Sequence, residues 1–572
     1  MAFVQHTIKL PVWRRRLLLV LVMAGLGALV GRAIYLQSLN KAFYQKQGDA
    51  RYTRSLTLYA HRGTITDRSG EPLAMSTPVE SIWANPVDAT TTPAQLEKLA
   101  RLLNLRQDEI AKKLENHNRE FVYLKRRISP ELANQVMGLR IPGVYMQREY
   151  RRYYPAGEVT AHLVGFTGLD EKGQEGLELK YQDWLSGKAG SRHVIKDRQG
   201  HIVEDLEAVK MPQDGHKLVL AIDRKIQYLA YRELAKAVEM HKAAAGAAVV
   251  LDAKTGEILA MVNLPTYNPN NPNNIGGKSR NRAITDTYEP GSTMKPMTIA
   301  FGLESGKYAS ETQLNTAPGT YKIGPATIHD HENYGVLSVA QIIQKSSNVG
   351  ASKIALSLEP QYMWGMLNQL GFGTKTGVEF PGEVSGRLRN YKDWRPIEQA
   401  TMSYGNGISV TLLQIARAYT TFANDGELLP VTLIKSKDMP VGQQVFSAAT
   451  AKSVRAMLEL VVQPGGTAMK AQVMGYRVAG KTGTAHKPGV GGYQDKYIAS
   501  FVGMAPASNP KYIVAVMIDE PSAGQYYGGA VAAPVFSAVM GATLRMMGIP
   551  QDAPNDNIIL PSPNAIEVKE AA

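Results

Sequence analysis

The sequence carries the stretch Pro-Gly-Ser-Thr-Met-Lys-Pro at residues 290–296, at the start of a predicted helix. Ser292 and Lys295 are three residues apart and therefore lie on one face of that helix. A serine hydroxyl is a weak nucleophile that needs an adjacent base. A lysine serves as that base only if burial or a neighbouring cation lowers its pKa. Because the N–H groups at the helix N-terminus would also face a developing oxyanion, the stretch predicts a nucleophilic serine.

The Ser-x-x-Lys spacing is not specific by itself. It occurs three times, at Ser38 and Lys41, at Ser292 and Lys295, and at Ser508 and Lys511. Ser508 precedes an Asn-Pro pair in a predicted loop, and Ser38 directly follows an apolar segment. The assignment therefore depends on further motifs.

Two further motifs follow the first one along the chain. Ser346-Ser347-Asn348 precedes a helical run, and Lys481-Thr482-Gly483 continues as Thr484 after strand-like residues. Ser-x-Asn also occurs at Ser38, Ser279 and Ser562, and Lys-Thr-Gly also begins at Lys254 and Lys375. Only the set that begins with Ser292, Ser346 and Lys481 has the order and the helix–helix–strand elements of the active-serine penicillin-recognising enzymes. The chain resembles those enzymes in this respect.

The segments around the motifs predict an α+β fold. Apolar runs predict strands near both ends of the region 216–550, with Ala-, Leu- and Met-rich helical stretches between them. The predicted strands are 218–222, 247–252, 257–262, 477–480, 497–505 and 512–518. The second and third form an antiparallel hairpin, and Asp223 is the predicted N-cap of a helix that ends at Met240. Strands at both ends imply one antiparallel sheet flanked by helices.

The region 38–215 is mixed and polar and shows no acid–base constellation. Residues 62–70 are typical of a short strand that enters a turn, and 93–118 have helical apolar spacing. Residues 151–155 and 165–176 are predicted to be loops around a short strand. A change in composition at 214–215 predicts the boundary to the next domain.

An apolar segment near the N-terminus predicts a membrane anchor. Three arginines at 14–16 precede the uncharged run 17–31, and the helix continues past Arg32, whose charged head reaches the interface. About 20 such residues cross a hydrocarbon core of about 30 Å. A cleavable signal peptide begins in the same way, but no small-x-small site ends this run. The arginine cluster places residues 1–16 in the cytoplasm and the remainder outside.

Composition limits the remaining possibilities. The chain has 572 residues, too many for one ordinary domain, and its lack of cysteine excludes disulfides, thiolate-bound metals and thiol catalysis. Its net charge of 64 − 50 = +14 is explained for the most part by a solvated basic surface. The anionic partners that such a charge would suit are nucleic acid, a membrane surface or an envelope polymer. The sequence has no nucleic-acid-binding motif, so we expect no nucleic-acid partner. We also expect no metal and no cofactor.

Longer matches extend the resemblance over nearly the whole chain. They are Arg62-Gly63, Asp67-Arg68-Ser69-Gly70, Arg152-Tyr153-Tyr154-Pro155, Tyr267-Asn268-Pro269-Asn270, Glu289-Pro290-Gly291-Ser292, residues 345–350, Tyr404-Gly405-x-Gly407, Tyr526-Tyr527-Gly528-Gly529 and Ala533-Pro534-Val535-Phe536. In these the chain resembles the septal type of class B penicillin-binding protein, a cell-division peptidoglycan D,D-transpeptidase. The resemblance implies a cytoplasmic tail at 1–16, a transmembrane anchor at 17–37, an elongated, non-catalytic pedestal and partner-binding domain at 38–215, a transpeptidase domain at 216–550 and a flexible tail at 551–572.

The resemblance also implies a role for each motif residue. Ser292 attacks the D-Ala–D-Ala bond of a stem peptide, D-Ala leaves, and an amine of a neighbouring stem then captures the acyl group. Lys295 relays the serine proton. Ser346 and Asn348 hold Lys295 and the substrate amide.

The third motif and two backbone groups complete the implied site. Lys481 adds positive charge and attracts the substrate carboxylate. Thr482, Gly483 and Thr484 bind that carboxylate, with the two threonines offering hydroxyl groups. The backbone N–H groups of Ser292 and Thr484 form the oxyanion hole.

The implied partners and location follow from the same resemblance. The substrates are stem peptides on lipid-linked nascent glycan, and β-lactams acylate the serine as covalent inhibitors. A SEDS-type glycosyltransferase and other division-complex membrane proteins are the implied protein partners. The implied location is the bacterial inner membrane, crossed once, with the bulk of the chain in the periplasm.

Three alternatives stay open. A serine β-lactamase shares fold and motifs, but class A enzymes activate water with the Glu of an E-x-x-L-N pattern, which is missing between Asn348 and Lys481. An elongation-type class B transpeptidase would perform the same reaction in another complex. A non-catalytic β-lactam sensor would normally carry a cytoplasmic signalling domain, whereas only 13–16 residues precede the apolar run here.

Overall fold

The computed structural model describes residues 11–41, 43, 53–196, 202–271, 275–489 and 491–559. The chain forms two compact units. Unit one comprises Met1–Ala60, Val79–Glu149 and Lys188–Asp214, and unit two comprises His61–Pro78, Tyr150–Gly187 and Gly215–Ala572. Unit two thus also contains two segments from before residue 216. The domain division predicted at 215 stays a prediction.

The first helix coincides with the predicted anchor. It spans Val12–Ile34 and continues as a π-helix over Tyr35–Leu39. Within the described part of the chain it is the one helix long and apolar enough to cross a membrane, which is consistent with a single-pass anchor. The helix begins before the predicted residue 17 because the three arginines at 14–16 are already helical.

Besides the N-terminal helix, the described part of unit one contains a three-stranded sheet, part of a second sheet and three further helices. The first sheet has the antiparallel strand order Thr53–Leu58, Gly190–Lys196, Ile202–Lys210. In the second, Val122–Ile128 and Val144–Tyr153 both pair with Pro72–Ala84, and the parts of the latter two strands at 72–78 and 150–153 belong to unit two. The helices are Pro93–Leu103, Gln107–Leu114 and Pro130–Met137. Their apolar faces share a buried core with the second sheet, in which Leu99 and Ile110 pack with Ile82 and Leu124.

The predicted helical stretch at 93–118 is divided into two helices. The first helix ends at Leu103 because Asn104 adopts the left-handed conformation, with a φ of 49°, and forms its C-cap. A second helix begins at Gln107 and ends at Leu114. Both helices bury an apolar face, so the periodic pattern continues in the sequence across the break.

A buried ion-pair network holds early segments of unit two together. Glu178 accepts hydrogen bonds from the Nε atoms of Arg62 and Arg152, each at 2.6 Å, and all three side chains are buried. Arg152 also donates to the backbone oxygen of Gly63 at 2.8 Å. It belongs to the strand Val144–Tyr153, so the loop predicted at 151–155 is wrong for its first three residues. Removing one member of such a network leaves a buried charge unpaired, so the three residues depend on one another.

The central sheet of unit two has five antiparallel strands. Their order is Ile258–Leu264, Ala245–Asp252, Tyr512–Asp519, Gly492–Ala505 and Ala479–Gly489. The prediction of one sheet built from both ends of this region is therefore confirmed. The strand predicted at 218–222 is only Leu218–Val219 and pairs with Ile65–Thr66 outside this sheet. The edge strand Ala479–Gly489, longer than the predicted 477–480, contains Lys-Thr-Gly and is called the K-T-G strand below.

Helices and short hairpins surround this sheet. Asp223 caps the helix Arg224–Met240 as predicted, because its side chain accepts hydrogen bonds from the N–H groups of Lys225 and Ile226. The helix Ala533–Met546 packs against Arg224–Met240 and against the sheet. The other helices are Ala161–Val164, Gly176–Lys180, Gln182–Leu185, Arg282–Thr285, Lys295–Glu304, Val339–Lys345, Asn348–Leu356, Pro360–Gln369, Pro396–Met402, Leu412–Ala418, Thr420–Ala423, Ala448–Leu460 and Gly528–Val531. The strand pairs are Gln313–Asn315 with Val336–Ser338, Thr320–Ile323 with Ala326–His329, and Glu427–Leu428 with Gln443–Gln444.

The first nine residues of the predicted flexible tail lie against unit two. Asp552 accepts a hydrogen bond from the N–H of Arg477 at 2.7 Å, and the side-chain amide of Asn557 donates to the backbone oxygens of Val473 and Tyr476. These bonds hold the chain after the last helix. Residues 560–572 of that prediction lie outside the described residues.

Candidate active site

Ser292 lies in a tight turn that precedes a helix. Gly291–Met294 forms a 3-10 turn, called the nucleophile turn below, and Lys295 is the first residue of the helix Lys295–Glu304. Lys295 Nζ donates to Ser292 Oγ at 2.6 Å. Both side chains are buried, with Lys295 fully inaccessible to solvent. The predicted pair is therefore in direct contact, although Ser292 precedes the α-helix and does not belong to it.

Ser346 supplies two acceptors to the same lysine. Lys295 Nζ donates to the backbone oxygen of Ser346 at 2.8 Å and to its Oγ at 3.0 Å. Ser346 ends the helix Val339–Lys345 in the left-handed conformation, with a φ of 60°. A non-glycine residue in this conformation costs about 1–2 kcal/mol. Ser346, the strained residue of the second motif, is thus the one that contacts Lys295.

Asn348 presents an unused acceptor. It is the first residue of the helix Asn348–Leu356, which is capped by Ser347. Its Nδ2 donates to the backbone oxygen of His329 at 3.1 Å, and this bond fixes the orientation of the amide. Its Oδ1 is buried and has no hydrogen-bond partner among the residues that the structure describes. A buried acceptor without a partner is unfavourable, so Asn348 is suited to receive an N–H group from a ligand.

The K-T-G strand places the third motif in a buried position. The side chains of Lys481, Thr482 and Thr484 are all buried. Lys481 Nζ donates to Thr482 Oγ1 at 3.0 Å, and that hydroxyl lies 2.8 Å from Thr467 Oγ1. Thr484 Oγ1 accepts a hydrogen bond from the N–H of Gly528 at 3.0 Å. A lysine cation and two hydroxyl groups therefore occur along one strand edge.

Two glycines bring this strand against the nucleophile turn. A Cβ at Gly483 would lie 2.9 Å from the backbone oxygen of Pro290, and a Cβ at Gly291 would lie 3.2 Å from that of Thr484. A side chain at Gly483 would clash with the backbone, and one at Gly291, whose φ is 56°, would be strained and tightly packed. The structure thus brings together Ser292, Lys295 and Ser346 by hydrogen bonds and the K-T-G strand by close backbone packing.

The groups at the site are not those of a metal centre in the part of the chain that the structure describes, where no group of three or more His, Cys, Asp or Glu side chains is placed to hold a metal ion. The polar groups at the site are four hydroxyls, two lysines, an amide and backbone N–H groups. Such a set can perform acyl transfer through a serine ester.

Comparison with known proteins decides the family. The penicillin-binding protein transpeptidase domain matches residues 246–541, and the penicillin-binding protein dimerisation domain matches residues 57–220. The probable peptidoglycan D,D-transpeptidase PenA of Neisseria gonorrhoeae is 47% identical over 534 residues, which are 92% of this chain and 92% of the relative. The peptidoglycan D,D-transpeptidase FtsI of Escherichia coli strain K12 is 43% identical over 95% of this chain and 93% of its own. The chain belongs to the FtsI-type class B transpeptidases.

A solved structure supports the same conclusion for the catalytic part of this transpeptidase. The apo transpeptidase domain of Burkholderia pseudomallei penicillin-binding protein 3 is 50% identical, with a TM-score of 0.55, and covers 59% of this chain and 98% of its own. The predicted family and the α+β fold class are therefore confirmed. The roles of the individual site residues and the predicted domain bounds stay predictions.

Three residues around the nucleophile of this FtsI-type transpeptidase are missing from the sequence-based site. The ring centre of Tyr404 lies 5.9 Å from Lys295 Nζ. The carboxylate of Glu289 accepts hydrogen bonds from the N–H of Gly407 and the hydroxyl of Tyr493, both at 2.8 Å. Tyr404 and Glu289 lie within the long matches Tyr-Gly-x-Gly and Glu-Pro-Gly-Ser, which was a usable signal. Nothing in the sequence singles out Tyr493.

Burial perturbs the acidity of these three groups. It raises the pKa of Glu289, although the hydrogen bonds from Gly407 and Tyr493 lower it. It raises the pKa of Tyr404 to about 12, and the carboxylate of Glu289 adds to the shift. Burial also raises the pKa of Tyr493 well above its usual range. Both phenols are therefore neutral at physiological pH, and Glu289 carries the one acidic group of this cluster.

Gly405→Ala should strongly reduce acylation of this transpeptidase. Gly405 has a φ of 92°, and a Cβ there would lie 2.3 Å from the backbone oxygen of Gly291. Beyond the strain of about 1–2 kcal/mol, the clash would displace the nucleophile turn. Since a misplacement of about 1 Å can cost about 100-fold in rate, we expect a loss of that size in the rate of penicillin acylation.

Gly407→Ala is the matched control for that substitution. Gly407 has a similar φ of 85°, but a Cβ there meets no atom within 4 Å. It should therefore show the strain without the clash and keep acylation within about tenfold of wild type. Stopped-flow acylation and thermal unfolding of both variants measure the difference. Equal acylation rates in the two variants would contradict a role for close packing of Gly405 on the nucleophile turn.

Proposed function

We propose that this transpeptidase cross-links peptidoglycan stem peptides during septal cell-wall synthesis through an acyl-enzyme on Ser292. The observation that carries the proposal is the buried contact of 2.6 Å between Lys295 Nζ and Ser292 Oγ. The substrate class is supported by relatives at 43–47% identity that are named peptidoglycan D,D-transpeptidases. The septal role is supported by the similarity to FtsI of Escherichia coli, which favours it over an elongation-type enzyme.

In the first half-reaction, Ser292 Oγ attacks the carbonyl carbon of the D-Ala–D-Ala bond. Lys295, in its neutral form, takes the serine proton as the carbon–oxygen bond forms. Burial favours the neutral form of an amine, and Lys295 is fully buried. Lys295 then gives the proton to the departing nitrogen, the carbon–nitrogen bond breaks, and D-Ala leaves. The product is a serine ester of the donor stem.

Substrate binding uses the second and third motifs. The unpartnered Oδ1 of Asn348 accepts an N–H group of the donor peptide. Lys481, with the hydroxyls of Thr482 and Thr484, holds the carboxylate of the terminal D-Ala. Backbone N–H groups of Ser292 and Thr484 stabilise the oxyanion, and removing one such donor typically costs about 2.7–4 kcal/mol.

In the second half-reaction, an amine of a neighbouring stem attacks the ester carbonyl. Its nitrogen forms the new amide bond and loses a proton to Lys295. The bond to Ser292 Oγ breaks, and Lys295 returns the proton to that oxygen. The result is a cross-link and a regenerated serine.

The placement of the enzyme is part of the proposal. The apolar helix Val12–Ile34 would cross the bacterial inner membrane once, and the arginines at 14–16 favour a cytoplasmic N-terminus with the bulk of the chain in the periplasm. A SEDS-type glycosyltransferase and other division-complex membrane proteins would act with it on lipid-linked nascent glycan. The dimerisation-domain match at 57–220 supports a partner-binding region ahead of the catalytic domain.

A β-lactam adduct on this protein should persist for many minutes to hours. β-Lactams mimic D-Ala–D-Ala and would form the same serine ester. The chain has no E-x-x-L-N pattern between Asn348 and Lys481, where class A β-lactamases carry the carboxylate that activates water; the match at 311–315 precedes Ser346 and is out of that order. Incubating the detergent-solubilised chain with one equivalent of penicillin and following intact mass measures the lifetime of the adduct. Loss of the adduct within seconds, followed by hydrolysis of each further equivalent of penicillin that is added, would instead identify a β-lactamase.

A further inference from the structure

Glu289 is tied to two distant segments at the entrance to the nucleophile turn. It lies three residues before Ser292, so the two Cα atoms are at most about 11 Å apart. Its Oε1 accepts from the N–H of Gly407, and its Oε2 accepts from the hydroxyl of Tyr493, both at 2.8 Å. Glu289 remains partly exposed to solvent. The carboxylate is therefore fixed in position and can still be reached by a ligand.

The negative charge of Glu289 is not compensated by a cation. Among the residues that the structure describes, its carboxylate receives hydrogen bonds from these two neutral donors alone. An ionised carboxylate offers about four lone-pair positions, so about two remain available for further N–H donors. A partly desolvated carboxylate with neutral partners is favourable for binding a cation.

Tyr404 connects this carboxylate to the catalytic-site lysine. The Tyr404 ring lies 5.9 Å from Lys295 Nζ, and Gly407, whose N–H binds Glu289, follows Tyr404 by three residues. The Cα atoms of Tyr404 and Gly407 are therefore at most about 11 Å apart. The carboxylate is thus bound to the same short segment whose tyrosine ring lies near the lysine that takes up a proton in the second half-reaction.

The site has a positive and a negative pole. Lys481 provides the positive pole on the K-T-G strand, where the anionic carboxylate of the donor stem would bind. Glu289 provides the negative pole, which repels that carboxylate and is thus unsuited to hold the donor. The acceptor differs in charge, because it enters as a primary amine that is protonated at neutral pH.

We propose that Glu289 is an acceptor-binding residue, whose carboxylate holds the ammonium group of the incoming stem peptide beside the Ser292 ester. This inference rests on the proposed function. The ammonium donates to the free lone pairs of the carboxylate and must lose one proton to solvent before its nitrogen attacks. The remaining transfer is the second half-reaction given above, with the next proton going to Lys295 and then to Ser292 Oγ.

Glu289→Gln tests the charge, because it keeps the size and one acceptor oxygen of the side chain. The full chain in detergent micelles is acylated with a benzoylated D-alanyl thioester, and transfer to two acceptors competes with hydrolysis. Nα-acetyl-lysinamide carries a side-chain ammonium, whereas hydroxylamine is an uncharged amine at neutral pH. We expect the efficiency of transfer to the lysine derivative to fall about tenfold, chiefly through a higher apparent KM, and transfer to hydroxylamine to change less than about twofold.

Tyr493→Phe is the matched control for that variant. It removes the hydroxyl that binds Glu289 but keeps the carboxylate charge, so the preference for the cationic acceptor should stay within about twofold of wild type. An equal loss with both acceptors in Glu289→Gln, no loss with either, or a loss of preference in Tyr493→Phe as large as in Glu289→Gln would each overturn the assignment. If the wild-type chain forms no acyl-enzyme, the proposed function fails as well, whereas an acyl-enzyme with unaltered acceptor preference removes this inference alone.

Discussion

Ser292→Ala should abolish covalent labelling of the protein by a fluorescent penicillin. Ser292 Oγ is the hydroxyl in contact with Lys295 Nζ, at 2.6 Å, inside the turn that the K-T-G strand packs against. Removing the nucleophile of a serine enzyme costs about 10⁶-fold in rate, which places residual labelling below detection. The substitution removes one oxygen atom and leaves the packing of the turn intact, so the unfolding temperature should change little. In-gel fluorescence and intact mass measure the loss.

Ser508→Ala is the matched control, because Ser508 begins another Ser-x-x-Lys pair. Its hydroxyl donates to Asp552 at 2.7 Å in an exposed loop, where no buried lysine accompanies it. This variant should label like wild type. Labelling that persists in Ser292→Ala, or an adduct mapped to Ser508 by peptide mass spectrometry, would show that the nucleophile is assigned to the wrong residue.

Lys295→Arg should be nearly as damaging as Lys295→Ala. Arginine keeps the positive charge, but its pKa lies above 12, and it cannot accept the serine proton. Lys295 is also fully buried, and its Nζ contacts the hydroxyls of Ser292 and Ser346, in an arrangement that suits an ammonium group. Because general base catalysis contributes about 10²–10⁴-fold, we expect both variants to lose about 10³-fold in the acylation rate. Stopped-flow measurement with a chromogenic β-lactam gives the rate constants.

The corresponding control is Lys511→Arg in the pair that starts at Ser508. Lys511 is partly exposed, and charge is preserved, so the acylation rate should equal that of wild type. Circular dichroism of the three variants separates loss of chemistry from loss of fold. If Lys295→Arg acylates within a few-fold of wild type, Lys295 acts through its charge and a different group takes the proton.

Local patterns predicted the elements of unit two better than those of unit one. The hairpin at 247–262 and the N-cap Asp223 are correct because a strand run with its turn, or a capping side chain, lies within a few residues of sequence. The helical spacing at 93–118 did not indicate where the first helix ends, because one residue, Asn104, turns the chain into the left-handed region while the apolar spacing continues. The strand that reaches Tyr153 is missing from the prediction because its arginine-rich end has no apolar alternation, and Arg152 is buried through its pairing with Glu178.

The candidate site divides in a similar way. The order of Ser292, Ser346 and Lys481 predicted the family, because each short motif constrains residue types at fixed spacing. The contact of Lys295 with Ser346 was expected only from the resemblance, since no local pattern relates residues 51 positions apart, which meet because two helices pack together. Their catalytic roles stay predictions until the substitutions above are measured.

The sequence by itself determined the family, the α+β class and the position of the apolar helix, because motifs and apolar periodicity are properties of neighbouring residues. The tertiary structure alone decided which distant groups meet around the nucleophile. Glu289 accepts hydrogen bonds from Gly407, 118 positions later in the chain, and from Tyr493, 204 positions later. Gly407 lies in a loop and Tyr493 in a strand pair, and no local sequence pattern near Glu289 indicates either contact. Such contacts depend on how the sheet and helices pack as a whole, and the packing gives a lone carboxylate its fixed place beside the serine.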